Sequence, residues 1–212
     1  YGIRYLEQPP YEVLYTKWLS YEEVLRLKGI EEMVELYHNS CQFTNTLPFL
    51  EKAFPSPFAL YEALADFYRE KGYFTASPAR SYRYHVLLDF AAEYDSGRLE
   101  AYRELLTYDI YLRENVKSRP DFAQDINGYK DDIKLFFQKE ERARNYLPDY
   151  EGYDWKQLSK MAHLEPFSWP VWDIGKMTET YSRADSKAAG QGAGRQGKPE
   201  GNGAARCFVL FD

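Results

Sequence analysis

The sequence contains very little cysteine and no long hydrophobic segment. Two cysteines, Cys41 and Cys207, occur in 212 residues; they are too few for a disulfide framework, so we expect buried free thiols and a cytoplasmic location. No apolar run approaches the ~20 residues of a membrane helix, which indicates a soluble protein. The formal net charge of −6 disfavours nucleic acid as a partner, because such binding depends mainly on Lys and Arg at phosphates.

The motifs of common catalytic sites are also missing. The sequence has no G-x-S-x-G, P-loop or H-E-x-x-H segment, so no catalytic residue is predicted. Gly192, Gly194 and Gly197 match the dinucleotide fingerprint G-x-G-x-x-G, which functions only between a strand and a helix. Pro199 follows instead of an apolar helix, and we interpret residues 184–205 as a mobile glycine-rich loop.

Candidate metal ligands are few and scattered. His38 and Cys41 lie three residues apart, whereas His85, His163 and Cys207 are distant in sequence. Zinc sites use three or four protein ligands. We therefore predict structural roles for these side chains and no metal or cofactor site within this chain.

Tyrosine is abundant, with 20 residues in a chain that is 17% aromatic. A phenol ring combines a large contact area with a polar tip, so we expect tyrosines in the core and at its rim. From residue 20 to about 146 the chain has helical periodicity. Ser20 and Glu23 form a capping-box sequence at the first helix, and we expect Gly29 to divide that helix.

Two Ser-Pro pairs, at 56–57 and 77–78, mark further helix starts, because Ser caps a helix and Pro suits its first position. We predict that the first of these helices ends at Gly72 and that the second ends at Gly97.

Two longer helices are predicted over about 99–118 and 127–146. Pro120 ends the first, and the charged stretch 139–144 of the second is expected to face outward. The terminal RCFVLFD segment indicates a buried strand. The predicted fold class is mainly α, a multi-helix bundle with a small C-terminal β appendage.

One polar segment, LLTYDIYLRENVKSRP at residues 105–120, is a candidate functional face. Its candidate residues are Tyr108, Asp109, Tyr111, Arg113 and Glu114. Asp109 and Arg113 have the spacing of a helical ion pair. The segment also contains many side chains that are planar or can form two parallel hydrogen bonds to one partner. Two interpretations stay open: a solvated or bundle-bridging helix face, or a face that lines a cleft or docks another domain.

Three segments resemble a known family. GIRYLEQPPYEVLYTKWLSYEEVLRLKGIEEMVELYHNS, FPSPFALYEALADFY and LLTYDIYLRENVKSRP are similar to the C-terminal domain of unknown function of bacterial cobalamin (B12)-binding radical SAM proteins. The resemblance covers most of residues 1–147 and includes the closing FVLFD.

This resemblance implies a longer enzyme with an upstream cobalamin-binding domain and radical SAM barrel. Such a barrel holds a 4Fe-4S cluster on a Cys-x-x-x-Cys-x-x-Cys loop and cleaves S-adenosylmethionine. Since this chain has only Cys41 and Cys207, the cluster, S-adenosylmethionine and cobalamin sites are expected upstream. No family catalytic residue is carried onto this chain.

The resemblance also gives a domain organisation. The chain begins with Tyr rather than Met, and residues 1–19 are expected to be an extended linker leaving the upstream barrel. Residues 20–147 are the helical accessory domain. Residues 148–212 comprise an aromatic and proline-rich segment, the mobile loop and the terminal strand.

Three hypotheses follow for function. The first is an accessory domain that covers the barrel or shapes access for an unknown substrate or partner. The second is an independent helical interaction module. The third, ranked last, is a small autonomous enzyme using His38, His85 or His163.

Overall fold

Helices dominate the structure. The computed structural model describes residues 1–116, 118–173, 175 and 207–211. The described chain has eight α-helices and two small two-stranded sheets, so the predicted mainly α fold with a small C-terminal β appendage is confirmed. None of the described helices has both the length and the apolar character needed to cross a membrane.

The chain divides into two units, residues 1–99 and 100–212. The first unit contains, in order, β1 (Arg4–Tyr5), β2 (Val13–Tyr15), α1 (Tyr21–Met33), a π-helix (Val34–Asn39), α2 (Thr46–Leu50), a 3-10 helix (Glu51–Ala53), α3 (Pro57–Glu70), α4 (Tyr73–Ala76), α5 (Arg83–Tyr94) and a 3-10 helix (Ser96–Arg98). The second contains α6 (Leu99–Arg113, with Leu99 at the boundary), a 3-10 helix (Asn127–Tyr129), α7 (Lys130–Ala143), α8 (Trp155–Met161), β3 (His163–Phe167) and β4 (Cys207–Phe211).

The N-terminal residues 1–19, expected to be an extended linker, contain a short antiparallel hairpin. Strand β1 pairs with β2, and the N–H of Leu6 donates to the carbonyl of Glu12 at 2.9 Å. The chain reverses through the cis Pro9–Pro10 peptide and through Tyr11, whose φ is 56°. The Pro-Pro pair therefore belongs to a turn within the segment that was expected to be extended throughout.

Helix α1 begins as predicted and continues through Gly29. The Ser20 hydroxyl accepts from the N–H of Glu23 at 3.2 Å, and the Glu23 carboxylate accepts from the N–H of Ser20 at 2.7 Å. The expectation that Gly29 divides the helix is wrong. A Cβ at Gly29 would lie 3.4 Å from the Phe74 ring and 3.7 Å from Cβ of Ala65. A Cβ would therefore make ordinary van der Waals contacts here, and only a larger side chain would collide with Phe74.

Tyr37 and Tyr68 meet in the core of the first unit. The π-helix carries Tyr37 inward, and the two hydroxyl oxygens lie 2.6 Å apart. Each hydroxyl removed from water therefore has a partner. Burial raises the pKa of Tyr37 well above its usual range, so this side chain stays neutral. Tyr84 is also fully buried, which confirms the expectation of tyrosines in the core.

The first Ser-Pro prediction is confirmed and the second is wrong. The Ser56 hydroxyl accepts from the N–H of Ala59 at 3.1 Å, and α3 is followed by Gly72 with φ 72°. Ser77 instead has φ 47° and follows the short α4, a left-handed conformation incompatible with the extended backbone of an N-cap. The next helix, α5, begins only at Arg83 and ends before the predicted stop.

Helix α6 ends at Arg113, earlier than the predicted end at Ser118. The N–H of Glu114 still bonds the Ile110 carbonyl at 2.9 Å, and the chain then leaves the helix. Beyond the helix end, Arg119 makes a tertiary ion pair with the buried Glu165.

Helix α7 buries Glu140, although residues 139–144 were predicted to face outward. The Glu140 side chain accepts from the N–H groups of Tyr146 at 2.9 Å and Leu147 at 3.2 Å. These backbone donors follow Arg144, which ends the helix with φ 52°. The buried carboxylate thus supplies partners for the turn after α7.

The C-terminal sheet pairs β3 with β4 in antiparallel register, from His163 opposite Phe211 to Phe167 opposite Cys207. Strand β4 is only partly buried, less than the sequence indicated. The glycine-rich segment 184–205, predicted as a mobile loop, lies outside the described residues. Beside the sheet, a buried apolar cluster comprises Phe137, Leu147, Leu158, Ala162 and Leu164.

Candidate functional site

A groove of about 720 Å³ opens in the second unit. Its walls are the end of α6 with the chain that follows, the junction of α8 with β3, and Phe211 at the end of β4. This volume lies within the ~300 to 1,000 Å³ typical of small-molecule sites. Its polar lining includes Arg113, Glu114, Arg119, Ser159, Lys160 and His163.

A buried carboxylate, Glu165 on β3, organises one wall of the groove. Its side chain is 1% exposed. Arg119 donates to it through two nitrogens, with Nε 3.2 Å from Oε2 and Nη2 2.6 Å from Oε1. Arg119 Nη2 also donates to the backbone carbonyl of Gln124. A guanidinium held by a bidentate pair and a carbonyl has little freedom to move.

His163 is held by the same carboxylate. Its Nε2 lies 2.7 Å from Glu165 Oε2. The two residues are two apart on β3, so their side chains leave the same face of the strand. An ionised carboxylate only accepts hydrogen bonds, so the proton of this contact belongs to Nε2. The other ring nitrogen, Nδ1, has no hydrogen-bond partner among the described residues.

An aromatic stack positions the imidazole. The ring of Tyr111 stacks on His163 with centroids 4.4 Å apart, and Phe211 stacks on Tyr111 at 5.0 Å. Burial, assisted by the nearby Glu165 carboxylate, raises the pKa of Tyr111 well above its usual range. Tyr111 is therefore a neutral spacer that fixes the ring of His163.

A second buried carboxyl group, Glu104, adjoins this network. Its Oε1 accepts from the N–H of Ser168 at 2.9 Å and from the side-chain amide of Gln124. Its Oε2 has no hydrogen-bond partner in the described part of the chain. Burial raises the pKa of Glu104 to about 7, against the opposing hydrogen bonds. Gln124 thus contacts Glu104 through its side chain and Arg119 through its carbonyl.

The residues predicted from sequence separate into two groups. Tyr111, Arg113 and Glu114 line the groove. Asp109 is fully buried and does not line it. Tyr108 is half-buried and packs against the C-terminal sheet, with its ring 6.0 Å from Phe167 and 5.9 Å from Phe211. Helix α6 therefore directs only part of the predicted polar face toward the groove.

Sequence reasoning missed the three residues at the centre of the groove wall. Arg119 lies in the polar segment 105–120 but was not among its candidate residues, His163 was interpreted as a scattered histidine, and Glu165 was not considered. The available indication was the pair of polar residues two apart in the otherwise apolar segment HLEPF. The partner Arg119 lies 46 positions away, which no local pattern reveals.

The pair of His38 and Cys41 lies in the first unit, beside a pocket of about 290 Å³. Cys41 is exposed and Cys207 is half-buried, so the expectation of buried thiols is wrong. Cys41 follows the π-helix with φ 55°, which places it in a surface turn. Within the described residues, no cluster of three or more His, Cys, Asp or Glu side chains could hold a metal ion.

The first unit also exposes many aromatic side chains near its N-terminus. Of the 22 exposed large hydrophobic residues in the described chain, 12 lie within residues 1–27. We define the N-terminal aromatic surface as Tyr1, Tyr5, Tyr11 and Trp18, which are 59% to 88% exposed. Single apolar residues are normal on surfaces, but a concentration of Tyr and Trp is typical of an interface.

The described features define a mainly α protein with a polar groove built over a buried carboxylate. The family model described as "Protein of unknown function (DUF4080)" matches residues 1–187, and the chain belongs to this family. No curated protein and no solved structure matches the chain. The matched range includes Tyr111, Arg119, His163 and Glu165.

Proposed function

We propose that this chain is the C-terminal accessory domain of a cobalamin-binding radical SAM enzyme. The support is the resemblance of three segments within residues 1–147 to that class of protein, together with membership of a family whose function is unknown. In this proposal the cluster, S-adenosylmethionine and cobalamin belong to the upstream domains, since the cluster loop needs three cysteines and this chain has two.

The observation that carries the proposal is the N-terminal aromatic surface. Trp18 is 65% exposed and Tyr5 is 59% exposed, and exposed aromatic side chains gain free energy when a partner removes them from water. In this proposal the upstream domain is joined through Tyr1 and lies next to this surface, and the partner is the radical SAM barrel or the cobalamin domain of the same polypeptide.

In this proposal the groove of the second unit, whose polar lining includes Arg113, Glu114 and Lys160, shapes the access of a substrate. The second candidate function is that of an independent interaction module, which would bind a separate protein through the same aromatic surface.

The coding sequence upstream of Tyr1 distinguishes the two candidates. The accessory-domain proposal expects one reading frame that continues upstream into a Cys-x-x-x-Cys-x-x-Cys segment. A frame that starts at or near Tyr1 would contradict it and leave the interaction module.

Docking is tested by hydroxyl-radical footprinting of the longer polypeptide and of the present chain alone. We expect Tyr5 and Trp18 to be protected in the longer polypeptide. Tyr146, which is 68% exposed in the second unit, serves as the matched control and is expected to react equally in both. Equal oxidation of Trp18 in the two samples would contradict docking through this surface.

A further inference from the structure

Arg119 presents a rigid donor to the groove. Its Nε and Nη2 are occupied by Glu165 and by the carbonyl of Gln124. The third nitrogen, Nη1, has no partner among the described residues and is not buried, and the side chain is 23% exposed. Because the guanidinium is already fixed, a ligand that binds Nη1 loses little side-chain entropy.

Two further donors lie in the same groove. Lys160, at the end of α8, is exposed and makes no ion pair with any described residue. His163 is fixed through Nε2 and has Nδ1 accessible. When protonated, this ring donates through both nitrogens, so one faces Glu165 and the other faces the groove.

The charges of the groove favour an anion over a cation. Arg113, Arg119 and Lys160 line it, against the single carboxylate of Glu114. Glu165 lies behind the lining and offsets the charge of Arg119, so the three cations exceed the two carboxylates by one positive charge. This positive lining occurs in a chain of net charge −6, so it is not a consequence of a basic composition.

We propose that the groove binds a small molecule through an oxyanion, either a phosphate or a carboxylate group. Arg119 Nη1, Lys160 and His163 Nδ1 are the donors, and Glu165 positions the first and the third. A volume of about 720 Å³ accommodates an organic molecule beyond its anionic group. This inference does not rest on the radical SAM proposal, because it uses only the groove of the second unit.

The test is a titration of the isotopically labelled 212-residue chain, observed through its histidine ring signals by NMR. Sodium phosphate and sodium acetate are added in separate experiments at constant pH and ionic strength, with chloride as the reference. We expect the His163 ring signals to shift and saturate. His38 and His85 lie in the other unit and are internal controls that stay unchanged. The oxyanion that saturates at lower concentration identifies the preferred group.

Two lysine variants make the test specific. Lys160→Gln removes one proposed donor and is expected to weaken oxyanion binding by about three- to tenfold. Lys156 lies on the same helix but outside the groove, so Lys156→Gln is expected to leave the affinity for the oxyanion unchanged. Equal shifts at all three histidines, shifts reproduced by chloride, or equal effects of the two variants would overturn the proposal.

Discussion

Replacing Arg119 with methionine tests the buried ion pair of the groove wall. Glu165 is 1% exposed, and Arg119 supplies two of the three side-chain hydrogen bonds it accepts, with His163 supplying the third. Arg119→Met therefore leaves a buried carboxylate with one partner. Breaking a buried pair from one side costs about 3 to 5 kcal/mol. Because His163 remains and Arg119 is partly exposed, we expect the lower end, about 3 kcal/mol.

The double variant Arg119→Met with Glu165→Met is the matched control. Replacing both members of a buried pair with apolar side chains is often close to neutral, so we expect the double variant to be more stable than Arg119→Met alone. The order of the two stabilities is the informative result, because a simple loss of packing would make the double variant less stable than the single variant.

Urea unfolding monitored by tryptophan fluorescence measures these differences. Trp155, Trp169 and Trp172 lie in the second unit, so a Trp18→Phe background restricts the fluorescence to that unit. A loss of about 3 kcal/mol corresponds to a lower midpoint by roughly 1 to 3 M urea. A change below about 0.5 kcal/mol for Arg119→Met, or a double variant less stable than the single one, would refute the reasoning.

Three further predictions concern single positions. The pKa of Glu104 is raised from 4.5 to about 7, so the protonated carboxyl group contributes its full stability below pH 4.5, and this contribution is lost as the pH rises through 7. Urea unfolding measured from pH 4 to 8 should therefore show a free energy of unfolding that falls with pH, and Glu104→Gln should remove up to about 3 kcal/mol of that fall. In thermal unfolding, Gly29→Ala should lower the free energy of unfolding by less than about 1 kcal/mol, and Gly29→Leu should lower it by about 1 to 3 kcal/mol, because the larger side chain meets Phe74. Equal losses for the two variants would contradict this packing. Tyr37→Phe leaves the buried hydroxyl of Tyr68 unpaired and should cost about 1 to 3 kcal/mol, with the double Phe variant less destabilised than the sum of the single variants.

Helix starts were predictable from sequence where a local interaction determines them. Ser20 with Glu23, and Ser56 before Pro57, form their caps within three residues, so the sequence contains both partners. Ser77 before Pro78 has the same letters, but the left-handed backbone after α4 prevents the cap. The start of α5 depends on how the preceding short helix closes, which is not a local property.

Helix ends and the groove were harder to predict because long-range contacts determine them. Helix α6 ends five residues before the predicted stop, and the position of Arg119 depends on Glu165, 46 residues further along the chain. Periodicity placed Tyr111 and Arg113 on a candidate face, and the structure places both at the groove. The same segment included Asp109, which is buried although it lies four residues before Arg113, because the spacing of a helical pair does not show how far the neighbouring elements cover that side of the helix.

The most direct test of the groove wall is the protonation of the His163 ring, read from long-range proton–nitrogen NMR correlations. Because Glu165 accepts from Nε2 at 2.7 Å, the structure predicts a proton on Nε2 that exchanges slowly with solvent, and Glu165→Gln should speed this exchange. A ring protonated only on Nδ1, with Nε2 free, would contradict a carboxylate that orients this histidine toward the groove.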